Sequence, residues 1–362
     1  LKNHFDICVV GAGLAGLHSA LELAEAGSKV CVIDPIGIAG GASGTPVGLA
    51  NPATGRFASR SWEAERSLAA LINRLDQIQT KTERKFYKQT GVLRPALEEK
   101  VALKMAENIR SQPWEDGTVE WWHEAKVKGF HPGLTCIGGG VWVRGGLTIH
   151  IPDYLTALSN HLKEIDCTFI LDQRFNIEQK NSWAFSFESG DSVTSEKIVF
   201  TTGIWSKEFD LWTPLKLFPV KGQTAIMQSS EPIQFEHAVS AMGYFSKIDD
   251  YTFILGSTYE HQFEHDEPDQ KGMDYMFNRL QRVLPDLANS SKPISKWSGI
   301  RASTRDRRPL MGSHSTYDTC FLFAGLGSKG LLYSAYGAKC LSKHILKGAS
   351  LPRELDINRF TK

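Results

Sequence analysis

Two glycine-rich strings mark where this chain can do chemistry. Gly11, Gly13 and Gly16 form G-x-G-x-x-G, and an acid, Asp34, stands eighteen residues beyond the last glycine. In that spacing the first glycine permits a tight turn, the second lets backbone approach a pyrophosphate, and the third lets a helix pack close to its strand. Leu14 and Ala15 open that helix, whose free N–H groups face the phosphates. Asp34 is placed to accept from a ribose diol. This is dinucleotide chemistry, and by itself it does not separate FAD from NAD. The second string, Gly325, Gly327, Ser328, Lys329, Gly330 and Leu331, comes more than 300 residues later. It again reads as strand, glycine turn, helix. Its backbone N–H groups and positive helix end suit the negative N1/C2=O edge of a reduced flavin. An NAD enzyme has no use for such a second loop, so the pair points to FAD.

These loops need elements to hold them. Phe5 to Val10 is a short apolar run that breaks into the first string. Leu14, Leu17, Leu21 and Ala24 then repeat at helical spacing, and Lys29 to Ile33 forms a second apolar run ending at Asp34. Helices are expected at 62–90, 98–110, 153–166 (just after Pro152), 270–284 and from about 331. Strands are expected at 167–171, 183–188, 197–203, 223–228, 251–256, 296–301 and 320–324. The fold class is therefore α/β with an α+β second domain. A Rossmann-like FAD-binding domain, discontinuous in sequence (1–80, 145–210 and 297–362), is interrupted by an antiparallel-sheet substrate domain (81–144 and 211–296).

Composition narrows the function classes. At 362 residues, 41% hydrophobic and 22% charged, the chain reads as globular rather than disordered. No apolar run approaches the roughly 18 residues needed to span a membrane. The opening LKNHFDICVV lacks a cleavable h-region, so a cytoplasmic location is expected. Net charge is +1, which gives no general pull toward polyanions, and neither DNA nor membrane is an expected partner. The six cysteines form no CxxC, and a reduced chain without disulfides or zinc is the economical reading. His261 and His265 have metal-like spacing but follow a strand and a turn, so no metal is expected. Arg301, Arg305, Arg307 and Arg308 are four arginines in eight residues. They read either as a phosphate patch for RNA or as a solvated turn in which Asp306 pairs with one of them.

Several strings together resemble the D-amino-acid oxidase and glycine oxidase superfamily. They are GAGLAG with Asp34, GGASGTPVGLANP (Gly40 to Pro52), FTTG (Phe200 to Gly203), GIRASTRDRRPLMG (Gly299 to Gly312) and AGLGSKG. Within it, Gly91 to Leu93, Val220 to Gln223, Arg301 to Gly312 and Gly325 to Gly330 are similar to the oxidase halves of bifunctional tRNA 5-methylaminomethyl-2-thiouridine biosynthesis proteins. The resemblance implies noncovalent FAD, with Gly41, Ala42, Ser43, Thr202 and Gly203 also lining its site. It implies oxidation of an amine beside a carboxylate, with the carboxylate held by Arg301 and a substrate tyrosine in the region of Tyr244. The substrate is then a glycine-like amine, and by the nearest resemblance the carboxymethylaminomethyl group of a tRNA wobble uridine. Small-molecule oxidation of glycine, sarcosine or a D-amino acid stays open, as does a flavin dehydrogenase using a non-oxygen acceptor.

Overall fold

The opening apolar run forms a strand, Asn3–Val10, in the computed structural model, which describes residues 3–213 and 215–360. Side chains alternate across it. Ile7 and Val9 face one core, while Cys8 and Val10 face another. Both faces are apolar, as a parallel strand buried between two layers requires. Four strands run parallel in the order Thr168–Leu171, Val30–Asp34, Asn3–Val10 and Ser192–Phe200. The far edge of Ser192–Phe200 is shared. Trp183–Phe187 pairs antiparallel with its first half, and Cys320–Ala324 pairs parallel with its end. Four helices, Leu14–Glu25, Ala64–Gln79, Ile151–Glu164 and Gly330–Lys347, bury Leu17, Leu71, Leu155 and Leu341 against the Ile7/Val9 face.

A second large sheet has the order Ser291–Ser303, Phe218–Ser229, Thr252–Gly256, Tyr244–Lys247, Ala238–Val239, Val92–Pro95, Gly139–Val143 and Val119–His123. It is antiparallel apart from the pairing of Ala238–Val239 with Val92 and Leu93. Helix Gln270–Val283 covers it through Met273, Met276 and Leu280, packed with Met227, Phe253 and Leu255. Strand Ser291–Ser303 runs through the expected domain boundary at 296/297.

The expected helix over 62–90 ends instead at Gln79. The Thr80 hydroxyl donates to the Gln77 carbonyl and closes the last turn. Tyr87 and Lys88 then pair as strand with Ile149 and Thr148, so cross-strand pairing overrides the helical pattern. The strand expected over 197–203 starts at Ser192 and stops at Phe200, because Gly203 (φ +58°) opens a 3-10 turn. Pro152 lies inside the first turn of its helix rather than before it.

Among the described residues, burial holds the imidazoles of His18, His131 and His237 neutral. His18 Nδ1 faces the Leu14 carbonyl at 2.9 Å, so it carries the proton, and Nε2 accepts from the Tyr154 hydroxyl at 2.7 Å. His131 and His237 meet ring to ring, Nδ1 to Nε2 at 3.1 Å. Burial pushes His18 and His131 down to about 4 and His237 to about 3. Between those values and the ordinary 6.5 the unfolded chain binds more protons than the folded one. The stability that depends on neutral imidazoles is thus complete above pH 6.5 and is lost as the pH falls toward 4. The urea midpoint should drop between pH 7.5 and pH 5, and less steeply in His237→Phe. A midpoint that stays level across that range would refute the assignment.

Candidate active site

The first glycine string is held by contacts that leave no room for side chains. Gly11 has φ +113°, and a Cβ there would sit 2.8 Å from the Thr201 carbonyl oxygen. A Cβ on Gly16 would lie 1.8 Å from the Gly11 carbonyl oxygen, so the helix rests directly on the turn. The Thr201 hydroxyl donates to the Val10 carbonyl at 2.8 Å and locks the strand end. Ser43 Oγ accepts from the Leu14 N–H at 3.1 Å, and a Cβ on Gly13 would approach that oxygen to 2.9 Å. Asp34 accepts from three backbone N–H groups, those of Ala12 (2.7 Å), Ile36 (2.8 Å) and Gly37 (3.1 Å). Burial nonetheless raises its carboxyl above the ordinary value. Before it meets any ribose, Asp34 already ties the glycine turn to the loop that follows the second strand.

The second string comes back to the same place. Gly325 (φ +74°) and Gly327 (φ +54°) turn the chain into helix Gly330–Lys347. A Cβ on Gly330 would lie 3.2 Å from the Leu14 side chain. Two helices therefore begin side by side, and both glycine turns line one cleft of about 1840 Å³. That exceeds the roughly 300–1000 Å³ of ordinary small-ligand pockets. The cleft is lined by Gly11, Gly13, Leu14, Ala15, Asp34, Gly41, Ala42, Ser43, Thr202 and Gly203, and from the second string by Gly325, Gly327, Ser328, Lys329, Gly330 and Leu331. Gly16 lies behind the turn. Bare backbone, two positive helix ends and an acid at a strand end fit FAD as this cleft's cofactor. No cysteine lines the cleft among the described residues, and all six thiols are free. Lys329 reaches over the Tyr333 ring, and burial together with Arg307 and Arg308 pulls its amine down to about 8.

Arg301 stands on strand Ser291–Ser303, opposite Val220. Its guanidinium lies across Gly222, where a Cβ would come within 2.0 Å of Nη2. Nη1 donates to the Thr258 carbonyl at 3.2 Å, and the guanidinium carbon sits 4.9 Å from the Tyr259 ring centroid. No carboxylate pairs with it among the described residues. The Val220–Gln223 string sets this wall. Buried Lys221 donates to Asp269 at 2.8 Å, and Gln223 both donates to Glu260 (3.0 Å) and accepts from the Asp269 N–H (2.9 Å). Asp269 in turn caps helix Gln270–Val283 through the Gly272 N–H. The loop carrying Tyr259 is therefore fastened at Glu260 and Asp269. Tyr244 also lines the cleft. Its hydroxyl donates to the Val47 carbonyl at 2.8 Å, and burial pushes its pKa up to about 12 despite nearby Arg301.

Some expectations change. Asp306 makes its ion pair with Arg359 (2.9 Å), which folds back beside it, and takes from its own arginine run only the Arg308 backbone N–H (3.2 Å). Arg305 and Arg307 are exposed, and only Arg307 reaches the cleft. His261 lines the cleft from the 257–268 loop, and no metal-sized cluster of His, Cys, Asp or Glu exists among the described residues. Thr201, Trp205, Tyr259 and Arg94 line the cleft without having been singled out in the sequence. The FTTG string pointed to Thr201, but the other three carry no local signal.

The two glycine helices make a graded prediction. Gly16→Ala forces backbone against backbone and should destabilise the protein by about 1–3 kcal/mol, with flavin lost on purification. Gly330→Ala meets only the end of a leucine side chain and should keep its flavin. Equal flavin-to-protein absorbance ratios in the two variants would contradict this account.

Among the described residues no helix is long and apolar enough to cross a membrane. The family model described as FAD dependent oxidoreductase, DAO, matches residues 6–344. The chain is 26% identical to the tRNA 5-methylaminomethyl-2-thiouridine biosynthesis bifunctional protein MnmC of Acinetobacter baylyi, covering all of this chain and 56% of that protein. It spans little more than half the length of such bifunctional relatives. It also resembles the crystal structure of glycine oxidase from Geobacillus kaustophilus (TM-score 0.85, 20% identity, 96% of each chain). Iminodiacetate oxidase from Chelativorans sp. BNC1 gives a TM-score of 0.81 at 20% identity, over 96% of this chain and 97% of that one. With both glycine turns opening on one cleft and the match running over nearly its whole length, this chain belongs to the DAO family of FAD-dependent oxidoreductases.

Proposed function

We propose that the protein oxidises the C–N bond of an N-substituted glycine, the carboxymethylaminomethyl group of a tRNA wobble uridine, in the cytoplasm. The observation that carries the reading is Arg301. It is a guanidinium with no carboxylate partner among the described residues, lining the cleft that both glycine turns line. A planar fork of this kind binds a carboxylate through two charge-assisted hydrogen bonds, each worth about 1.5–3 kcal/mol. Stacking on Tyr259 and the bond to the Thr258 carbonyl fix the fork before substrate arrives, which lowers the entropy cost of binding. Tyr244 spends its proton on the Val47 carbonyl, so its oxygen is left to accept from the substrate amine. A pKa of about 12 keeps that hydroxyl protonated across the working range. FAD, when bound, supplies the two-electron acceptor for the hydride of the α-carbon. No side chain has to remove a carbon-bound proton; the residues here orient the amine and exclude water.

The tRNA reading is supported by the bifunctional relatives and by exposed Arg307, which lines the cleft, with exposed Arg305 two residues before it. A small free amine is favoured by a different observation: glycine oxidase matches this chain end to end, at 96% of each. Anaerobic mixing with carboxymethylaminomethyl-uridine tRNA should bleach the flavin band; bleaching by sarcosine or glycine alone would favour the second reading. Arg301→Ala should lower kcat/KM by roughly ten- to a thousand-fold with flavin retained. Arg301→Lys should recover only part of it, because an ammonium offers no fork. Unimpaired turnover in the alanine variant would remove the carboxylate clamp.

A further inference from the structure

Among the described residues three lysines or arginines are buried, and two are neutralised. Lys221 holds Asp269 and Glu260, and Lys247 holds Glu236 and Asp250. The third, Arg94 on strand Val92–Pro95, is only 7% exposed and has no carboxylate partner among the described residues. Its Nη1 donates to the Ser240 hydroxyl at 3.0 Å and its Nη2 to the Gly55 carbonyl, both neutral acceptors. Its Nε has no partner at all. Burial pulls its pKa down to about 10, with Tyr259 as the one titratable group bearing on it. A buried, unpaired charge is costly, and proteins ordinarily place a carboxylate beside it. Of the three, Arg94 alone lines the cleft, and it shares Tyr259 as a neighbour with Arg301.

We propose that Arg94 is a second oxyanion anchor, taking an anionic group carried on the nitrogen substituent of the amine whose glycine carboxylate rests on Arg301. The proposal builds on the reading of Arg301 given above. One N–H on each of Nη1 and Nη2 of the Arg94 guanidinium remains unspent among the described residues, enough for a carboxylate or a phosphate, while Nε is shut off from solvent. Either source supplies the same chemistry. A substrate so held is gripped at both ends, with the C–N bond between the two cations. Glycine itself would engage only one of them.

The test uses the oxidised FAD holoenzyme without turnover. Binding is read as perturbation of the visible flavin band by straight-chain monocarboxylates, dicarboxylates and ω-phosphonocarboxylates of three to seven carbons. At the best-fitting length the wild type should bind a doubly anionic chain at least tenfold more tightly than the matching monocarboxylate. In Arg94→Gln and Arg94→Met that preference should shrink at least tenfold, and Arg94→Lys should restore part of it. A preference for the carboxylate-ended chain assigns the anion to a second carboxylate; a preference for the phosphonate assigns it to a nucleotide phosphate. Equal affinity for singly and doubly anionic chains at every length in the wild type overturns the proposal, even if no variant folds. So does a preference that survives in the variants. Failure of every amine to bleach the flavin would instead refute the reading of the reaction, and leaves this binding series intact as a test of Arg94.

Discussion

Two helices that begin against each other, one at Leu14 and the other at Gly330, impose the condition from which the site follows. Their N-terminal ends are both positive and lie in contact, so they repel unless an anion lies before them. The chain meets this condition with backbone alone. Gly16 lets the first helix sit on the Gly11 carbonyl, Thr201 fastens the strand end, and Ser43 occupies one of the free N–H groups at the helix start. Asp34 is tied into the same turn, so moving any one of these groups moves the others. The dinucleotide end of the cleft is a rigid unit assembled from four separate stretches of sequence.

The opposite wall follows a different logic. Its strands carry a cation toward the cleft, and a buried ion pair behind them holds the register. Lys221 points away to Asp269, the missing side chain of Gly222 makes space for Arg301, and Gln223 reaches the loop that brings Tyr259 over the guanidinium. Successive residues of one strand serve opposite faces, as the pleat dictates. The spacing of that short string therefore encodes a support, a gap and a clasp in order.

Much of the nucleotide half was legible in sequence because its signals are local. A glycine turn between an apolar run and a helical stripe announces itself within thirty residues, as Phe5 to Asp34 does. The helix expected to reach residue 90 failed because Tyr87 and Lys88 answer to strand Leu147–His150, some sixty residues away. The strands at Val119–His123 and Gly139–Val143 were missed for a related reason: tryptophans and glycines there satisfy partners across the sheet rather than a pattern along the chain. Within the site, Arg301 could be singled out through its motif. Tyr259 and Arg94 could not, since an ordinary tyrosine and an ordinary arginine gain meaning only from what surrounds them once folded. The pairing of Asp306 with Arg359, fifty-three residues on, was equally out of reach.

The divided edge of strand Ser192–Phe200 has a consequence for how the protein is made. Its end stays open until Cys320–Ala324 arrives to pair with Ile198 to Phe200. At ribosomal speeds of about 5–20 residues per second, residues 200 and 320 are separated by several seconds to tens of seconds. Through that interval the nascent chain presents an unpaired parallel edge with Phe200 beside it, the kind of surface that chaperones bind and that aggregation exploits. The neighbouring hairpin, Phe175–Gln179 with Trp183–Phe187, is translated before the strand and covers its first half at once. Early translation thus leaves only a short remnant of the sheet exposed, and closure of that sheet waits for Cys320–Ala324.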